Sequence, residues 1–424
     1  MDGDPVILRD HVIDNEVFAL VVQTRHGDTV ATTAVHQQNF ARRIGGARYV
    51  PAPKGGGAAD GLSEVGHLSS TMTEKCMAAM IPADGQKTVV VSSPEVMGDE
   101  RQKVEILAEH ERAVAAIDPG VIFGPDMAVP EAIQDALSKQ DGLADHVTGL
   151  SSPNRGLSID DNGYTGIGVA EAVRTVYGDM LAGRTVSIQG FGAVGAHTAR
   201  LLAQAGARIV AVSNVQGALV AEGDVALEVE AMFQAWLSAH SDDWIRSYSA
   251  PGVRLETSPN VLFSTPAEIV IPAARTSVLA TAEELDVIRG KENPDARDVA
   301  EFFAQTGVKV VAEGANHPLS EAAEAYLEQH SVIVLPDYII NCGGLIGCWV
   351  EWEARHEGKA GNSSEMAESA RERVRVTVRQ NVDELRRVTR GAREAAGQIV
   401  NRNRDRLQAG SVQQRPRLLG ASRH

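Results

Sequence analysis

The amino-acid sequence predicts an α/β protein of two domains, one of them a doubly wound parallel sheet and the other a separate α/β unit. Three observations carry this expectation. From about residue 165 the chain alternates helix-like and strand-like segments, the pattern of a parallel sheet with helices on both faces. A glycine turn, Gly190-Phe191-Gly192-Ala193-Val194-Gly195, lies between one such strand and the next helix. Before residue 160 and beyond 350 the alternation is lost, so a second unit is needed for the two ends of the chain. At 424 residues the protein is long enough for two or three units, each with its own core.

Taken in order, VFALVVQTR, TVATTAV and KTVVVSSP are rich in β-branched residues and read as strands. EVGHLSSTMTEKCMAAM and ERQKVEILAEHERAVAAI repeat their apolar positions at helical spacing. PAPKGGGAADG (51–61) is a glycine-rich loop. TGIGVAEAVRTVYG then reads as a helix, RTVSIQG as a buried strand, AVGAHTARLLAQAG as a helix and ARIVAVS as a strand. Further strands are expected at EIVIPA, VKVVAEGA and SVIVLPD. The run from Met366 to Val400 reads as long, amphipathic and charge-laced helix.

Composition narrows the function classes. The net charge of −16 disfavours nucleic acid as a partner, and the arginines at 402, 404, 406, 415 and 417 read as a solvated tail. No apolar run is long enough to span a bilayer, and the acidic N-terminus lacks a basic-then-apolar leader. Cys76, Cys342 and Cys348 fit neither a disulfide framework nor a structural metal site. A cytoplasmic location is the expectation, with no metal, membrane or nucleic-acid partner.

Residues 190–195 satisfy G-x-G-x-x-G with a strand running in and a helix running out. The first glycine permits a tight turn, the second lets backbone approach a pyrophosphate, and the third allows the helix to pack on the strand. The helix N-terminus then presents free N–H groups to phosphate. This predicts a Rossmann-like dinucleotide site. The next strand ends at Ser213-Asn214, without the acid that usually binds the ribose hydroxyls of NAD. Asn214 can bond those hydroxyls without repelling a 2′-phosphate, and no cation follows closely to hold one. NAD and NADP both stay open, and the balance favours NAD.

Lys75 in MTEK, Lys87 in PADGQK and Asp126 in GPDM add a second set of motifs. With TGIGV (165–169), VAEGANHPLS (311–320) and LPDYIINCGGLIG (335–347), their order along the chain resembles the glutamate/leucine/phenylalanine/valine dehydrogenase family. The resemblance implies reversible oxidative deamination of an L-amino acid to a 2-oxo acid and ammonia. It places a catalytic lysine at Lys87, a second proton-transfer group at Asp126 and a binder of the substrate α-carboxylate at Lys75. Thr165, Asn316 and Asn341 fall at coenzyme-contacting positions, with the Gly343-Gly344 backbone beside the nicotinamide. Lys54, before Gly55-Gly56, resembles the lysine by which glutamate-specific members hold the side-chain carboxylate. Cys348 falls at a second substrate-side-chain position, and Glu351-Trp352 resembles the glutamate enzymes. The substrate is thus glutamate-like or apolar.

The sequence also departs from the family. Asp84 replaces a glycine and puts a carboxylate near Lys87, where it would raise the lysine pKa. The arginine that follows the family's paired glycines has no counterpart in KGGGAADG. Ser277 replaces an asparagine, and Cys342 an alanine. These leave room for two alternatives: a diverged enzyme acting on an unusual amino acid, and a non-catalytic dinucleotide-binding regulator. The expected architecture is residues 1–160, completed by 350–424, as the substrate and oligomerisation domain, and 161–349 as the coenzyme domain. The resemblance further implies a homo-oligomer, a hexamer or octamer, with catalysis in a cleft that closes over the substrate.

Overall fold

The computed structural model describes residues 3–52, 59–239, 241–356, 363–387 and 391–413. It divides into two compact units: Met1–Ser158 with Cys348–Met366 and Gln398–His424, and Ile159–Gly347 with Ala367–Gly397.

The first unit is built on a six-stranded sheet of order β1-β2-β3-β5-β4-β6. Strands β1 (Val6–Ile13), β2 (Glu16–His26) and β3 (Thr29–Val35) form a meander. Its first turn, Asp14-Asn15, takes positive φ at both residues, the geometry of a two-residue hairpin whose twist matches its strands. β4 (Arg42–Pro51), β5 (Ala83–Ser92) and β6 (Val121–Gly124) run parallel to one another. Parallel neighbours need long crossovers, which the helices Ala59–Ala78 and Glu100–Ile117 provide. Every residue of β5 is buried, Asp84, Gln86 and Lys87 included. Tyr49, Leu107, Ile133, Leu137 and Val147 share one core of this unit.

The second unit holds a seven-stranded sheet of order β10-β9-β8-β7-β11-β14-β15. β7 (Thr185–Gln189), β8 (Arg208–Asn214), β11 (Ile269–Pro272), β14 (Val310–Ala312) and β15 (Ile333–Leu335) are parallel. β12 (Leu279–Ala280) and β13 (Arg297–Asp298) pair separately. The sheet departs from an all-parallel expectation at one edge. β9 (Gly217–Ala221) follows β8 after only Val215-Gln216, too short for a crossover, so it returns antiparallel. β10 (Val253–Glu256) extends that edge, also antiparallel.

The C-terminal run is helical as expected but differs in the unit it joins. It is two helices, Ser363–Leu385 and Ala392–Gln413, and residues 367–397 cluster with the second unit rather than the first. Charge pairing explains the assignment. Arg379 Nη2 donates to Glu171 Oε1 at 2.6 Å. Arg393 Nε donates to Glu324 Oε2 at 2.8 Å, and its Nη2 donates to the fully buried Glu313 at 3.3 Å.

Candidate active site

In the first unit three adjacent strands bring three charged side chains together. Arg48 is on β4, Lys87 on β5, and Asp126 two residues past the end of β6. Lys87 Nζ lies 2.6 Å from Asp126 Oδ2. Arg48 grips the same carboxylate with two donors, Nε to Oδ2 at 2.7 Å and Nη2 to Oδ1 at 3.2 Å, and its Nη1 reaches Glu64 Oε1 at 3.1 Å. Gly46 makes this possible, because a Cβ there would lie 2.8 Å from the Asp126 Cβ and 2.5 Å from the Pro125 carbonyl oxygen. The absence of a side chain lets the Asp126 segment lie against β4.

The electrostatics follow from burial and this geometry. Burial pulls the Lys87 pKa down; Asp126 pushes it up and Arg48 pushes it down again, for a net lowering. Burial alone would raise Asp126, but Lys87 and Arg48 together hold it well below the usual carboxylate range. Arg48 stays charged, so it takes a share of the Asp126 negative charge that would otherwise hold a proton on Lys87. The cluster therefore contains a lysine with a weakened hold on its proton beside a carboxylate that is ionised at rest.

Arg48 is absent from the residues singled out in the sequence, although a signal for it exists. Gly45-Gly46-Ala47-Arg48 is a glycine pair followed at the second residue by an arginine. The glycine pair that an arginine follows is thus Gly45-Gly46 and not Gly55-Gly56. Lys54 and its glycines lie outside the described residues.

The concern over Asp84 is not met. Asp84 and Lys87 are three residues apart on one strand and so point to opposite faces. Asp84 Oδ2 accepts from the Phe40 backbone N–H at 2.9 Å, and the charges that act on Lys87 are those of Asp126, Arg48 and Glu64. Lys75 is buried in the last turn of the helix Ala59–Ala78, which packs on β5. Cys348 is buried, and a Cβ placed on Gly124, just before Pro125-Asp126, would lie 3.9 Å from its sulfur. Glu351 is fully buried and accepts from the N–H groups of Gly149 (2.9 Å), Leu150 (3.1 Å) and Leu157 (2.9 Å). It fixes the segment 149–157, which lies beyond the helix Glu131–Leu137; that is a structural role for the acid of the Glu351-Trp352 pair.

In the second unit Gly190 follows β7 with φ +90, and a Cβ on Gly195 would lie 1.8 Å from the Gly190 carbonyl oxygen. A Cβ on Gly192 meets nothing within 4 Å. Gly192 is the N-cap of the helix Ala193–Gln204 and supplies no side-chain cap, so the first N–H groups of that helix are available to an anion. Phe191 is fully buried. The turn thus fits a pyrophosphate: open where a phosphate would sit and closed where helix meets strand. Asn214 is engaged within the protein, its Oδ1 accepting from Gln216 N at 2.8 Å and its Nδ2 donating to the Asp242 carbonyl at 2.7 Å.

Thr165, Asn316 and Asn341 come together through the segment 341–344. Gly344 N donates to Thr165 Oγ1 at 3.2 Å. Asn341 Nδ2 donates to the carbonyls of Gly314 (3.3 Å) and Ala315 (3.2 Å) and to Asn316 Oδ1 (3.2 Å). The Asn341 Oδ1 is buried and has no hydrogen-bond partner among the described residues. Gly190, Ala273 and Gly314 all follow the C-terminal ends of parallel strands, where open α/β sheets bind ligands. Ser277 has positive φ and donates to Glu292 at 2.5 Å. All three cysteines are buried and none is in a disulfide.

Residues 156–404 match the family model described as Glutamate/Leucine/Phenylalanine/Valine dehydrogenase. The chain is a member of the glutamate/leucine/phenylalanine/valine dehydrogenase family. It is 30% identical over 334 residues to the glutamate dehydrogenase of Aeropyrum pernix, covering 75% of this chain and 70% of that one. The NADP-specific glutamate dehydrogenase of Saccharolobus shibatae is 28% identical over 361 residues, 81% of this chain and 76% of that one. The NAD-specific glutamate dehydrogenase A of Halobacterium salinarum is 28% identical over 303 residues, 67% of this chain and 61% of that one. Two solved structures share the fold. The hetero-hexameric glutamate dehydrogenase from Thermus thermophilus, in its Leu-bound form, has a TM-score of 0.69 at 23% identity, covering 99% of this chain and 91% of that one. The L-tryptophan dehydrogenase from Nostoc punctiforme has 0.59 at 20% identity, covering 92% and 96%. As a family member the protein is an NAD(P)-dependent amino-acid dehydrogenase, and its coenzyme is a nicotinamide dinucleotide. Among the described residues no helix is long and apolar enough to cross a membrane.

Proposed function

We propose that Lys87 and Asp126 are the proton-transfer pair of this dehydrogenase, with Arg48 tuning them. The 2.6 Å contact between Lys87 Nζ and Asp126 Oδ2 in a buried setting is the observation that carries this reading. The bound nicotinamide supplies the acceptor for hydride from the amino-acid Cα. Lys87, as a neutral amine, takes a proton from water as the water adds to the resulting substrate iminium. Asp126, held ionised by Arg48, relays protons to and from the nitrogen that leaves as ammonia. Lys75 binds the substrate α-carboxylate as a point charge. Gly190–Gly195 would receive the pyrophosphate, and Asn341 Oδ1, which has no hydrogen-bond partner among the described residues, would accept from the nicotinamide carboxamide. Thr165 and Asn316 orient the segments beside it.

We read the substrate as an amino acid with an apolar side chain. The residue before the glycine pair Gly45-Gly46 is Ile44, almost fully buried, where glutamate-specific members place a lysine. Buried Cys348 beside Gly124 favours the same class. The likeness to an L-tryptophan dehydrogenase over nearly the whole of both chains supports it, and glutamate is the second reading, favoured by the curated relatives. NAD is the proposed coenzyme. Three reduced cysteines suit a cytoplasmic enzyme. Exposed Val6, Ile7 and Leu8 on the edge strand β1 support a homo-oligomer, hexamer or octamer, assembled through the first unit.

The test is a screen of 2-oxo acids with ammonia and reduced coenzyme, followed at the reduced-nicotinamide absorbance. Apolar 2-oxo acids are expected to outperform 2-oxoglutarate, and Lys87→Ala to lower kcat by about a hundredfold or more while coenzyme binding persists. Turnover of 2-oxoglutarate alone would overturn the substrate reading; full activity in Lys87→Ala would overturn the catalytic one.

A further inference from the structure

The tip of β8 has no carboxylate of its own, yet the structure brings one there from elsewhere in the chain. Asn214 ends β8, and both polar groups of its amide are committed. Its Oδ1 accepts from Gln216 N, and its Nδ2 donates to the backbone carbonyl of Asp242 at 2.7 Å, with Asp242 Oδ1 at 3.5 Å. The Asp242 carboxylate is otherwise exposed. Two residues further on, Trp244 is buried, and its ring packs 5.1 Å from that of Phe191, the second residue of the glycine turn. The turn is itself tied to β8, because the N–H groups of Gly190 and Phe191 both donate to the Ser213 carbonyl, at 2.9 and 2.7 Å. The segment carrying Asp242 is therefore pinned at two points: to the strand tip through Asn214 and to the glycine turn through Trp244.

We propose that Asp242 is the acid that binds the adenosine ribose of the coenzyme and sets a preference for NAD over NADP, with Asn214 as its positioning residue. This rests on the reading of residues 190–195 as the coenzyme site. In dinucleotide folds the ribose hydroxyls meet an acid at the end of the strand that follows the glycine turn. A carboxylate accepts from the two ribose hydroxyls of NAD, and it opposes the added negative charge of a 2′-phosphate. Here strand-tip residue and acid are separate parts. Asn214 is spent on holding the loop, so the ribose is read by the loop. Asp243 beside it is also exposed and adds charge of the same sign. Arg246, whose Nε donates to the Gln216 carbonyl at 3.3 Å, is the cation that a 2′-phosphate would use if the opposite preference held.

Isothermal titration and steady-state kinetics with NAD and NADP on the full-length enzyme test the proposal. The native enzyme is expected to favour NAD in kcat/KM, and Asp242→Asn to lower the NAD:NADP ratio about tenfold or more, mainly through the KM for NAD. Asn214→Ala moves the same ratio in the same direction, with the KM for the amino acid unchanged, a split that a merely structural role would not give. An unchanged ratio in Asp242→Asn overturns the proposal while leaving the coenzyme site intact. Preference for NADP that is lost in Arg246→Ala also overturns it. Binding of neither coenzyme by the native protein overturns the reading of the glycine turn itself.

Discussion

Arg48 shows how one side chain can set the chemistry of two others. Asp126 would hold a proton on Lys87 if it faced the lysine alone; Arg48 divides that pull with two hydrogen bonds of its own. Replacing it by methionine leaves the Asp126 charge directed at Lys87, and the lysine pKa rises. Deamination needs the neutral amine, so activity increases with pH through that pKa. In Arg48→Met the rising limb of the kcat/KM profile is therefore expected at higher pH than in the native enzyme. A pH–rate series with coenzyme saturating reads this directly, and an unmoved limb would remove Arg48 from the proton-transfer account.

Among the elements, the glycine turn separates two roles that one motif combines. Gly192 faces open space and has extended backbone that any residue adopts. Gly195 is packed against the turn's own carbonyl. Gly192→Val is expected to weaken coenzyme binding about tenfold or more with thermal stability kept. Gly195→Val is expected to cost about 3 kcal/mol of stability, measured by urea unfolding, because helix and strand must separate to admit the side chain. If both variants behaved alike, the division into a ligand-facing and a packing glycine would fail.

For the molecule as a whole, buried acids give stability a pH dependence. Glu111 is fully buried, neither carboxyl oxygen has a partner among the described residues, and burial holds its pKa well above the usual carboxylate value. The folded state keeps a proton that the unfolded chain releases above about pH 4.3. Its contribution is thus full in acid and is lost as pH rises through the raised folded-state pKa. Asp126 runs the other way: its lowered pKa gives stability present near neutral pH and lost as pH falls below the unfolded value of about 4. Glu111→Gln removes only the first effect. It is expected to match the native protein near pH 4 and to become the more stable of the two as pH rises, as read by urea unfolding across pH. Equal pH slopes in the two proteins would refute the assignment.

Local pattern was enough for the parts that depend on near neighbours. Strands such as Thr185–Gln189 and Arg208–Asn214, the helix Ala193–Gln204 and the order of the family's motifs are written in consecutive residues, because period and turn chemistry act over a few positions. β4 escaped notice because two glycines and three arginines hide a strand buried in the middle of a sheet, and Arg48 went with it. The amphipathic run between Met366 and Val400 is shared by the helices Ser363–Leu385 and Ala392–Gln413, and residues 367–397 join the second unit, where Arg393 pairs with Glu313 and Glu324, far away in sequence. By itself the sequence determined that a nicotinamide coenzyme and an amino acid meet on this chain. Only the tertiary structure decided which charges share one carboxylate, which way Asp84 points and which loop brings an acid to the tip of β8. Those are questions of distance between residues remote in sequence, set by how the strands pack and by no local rule.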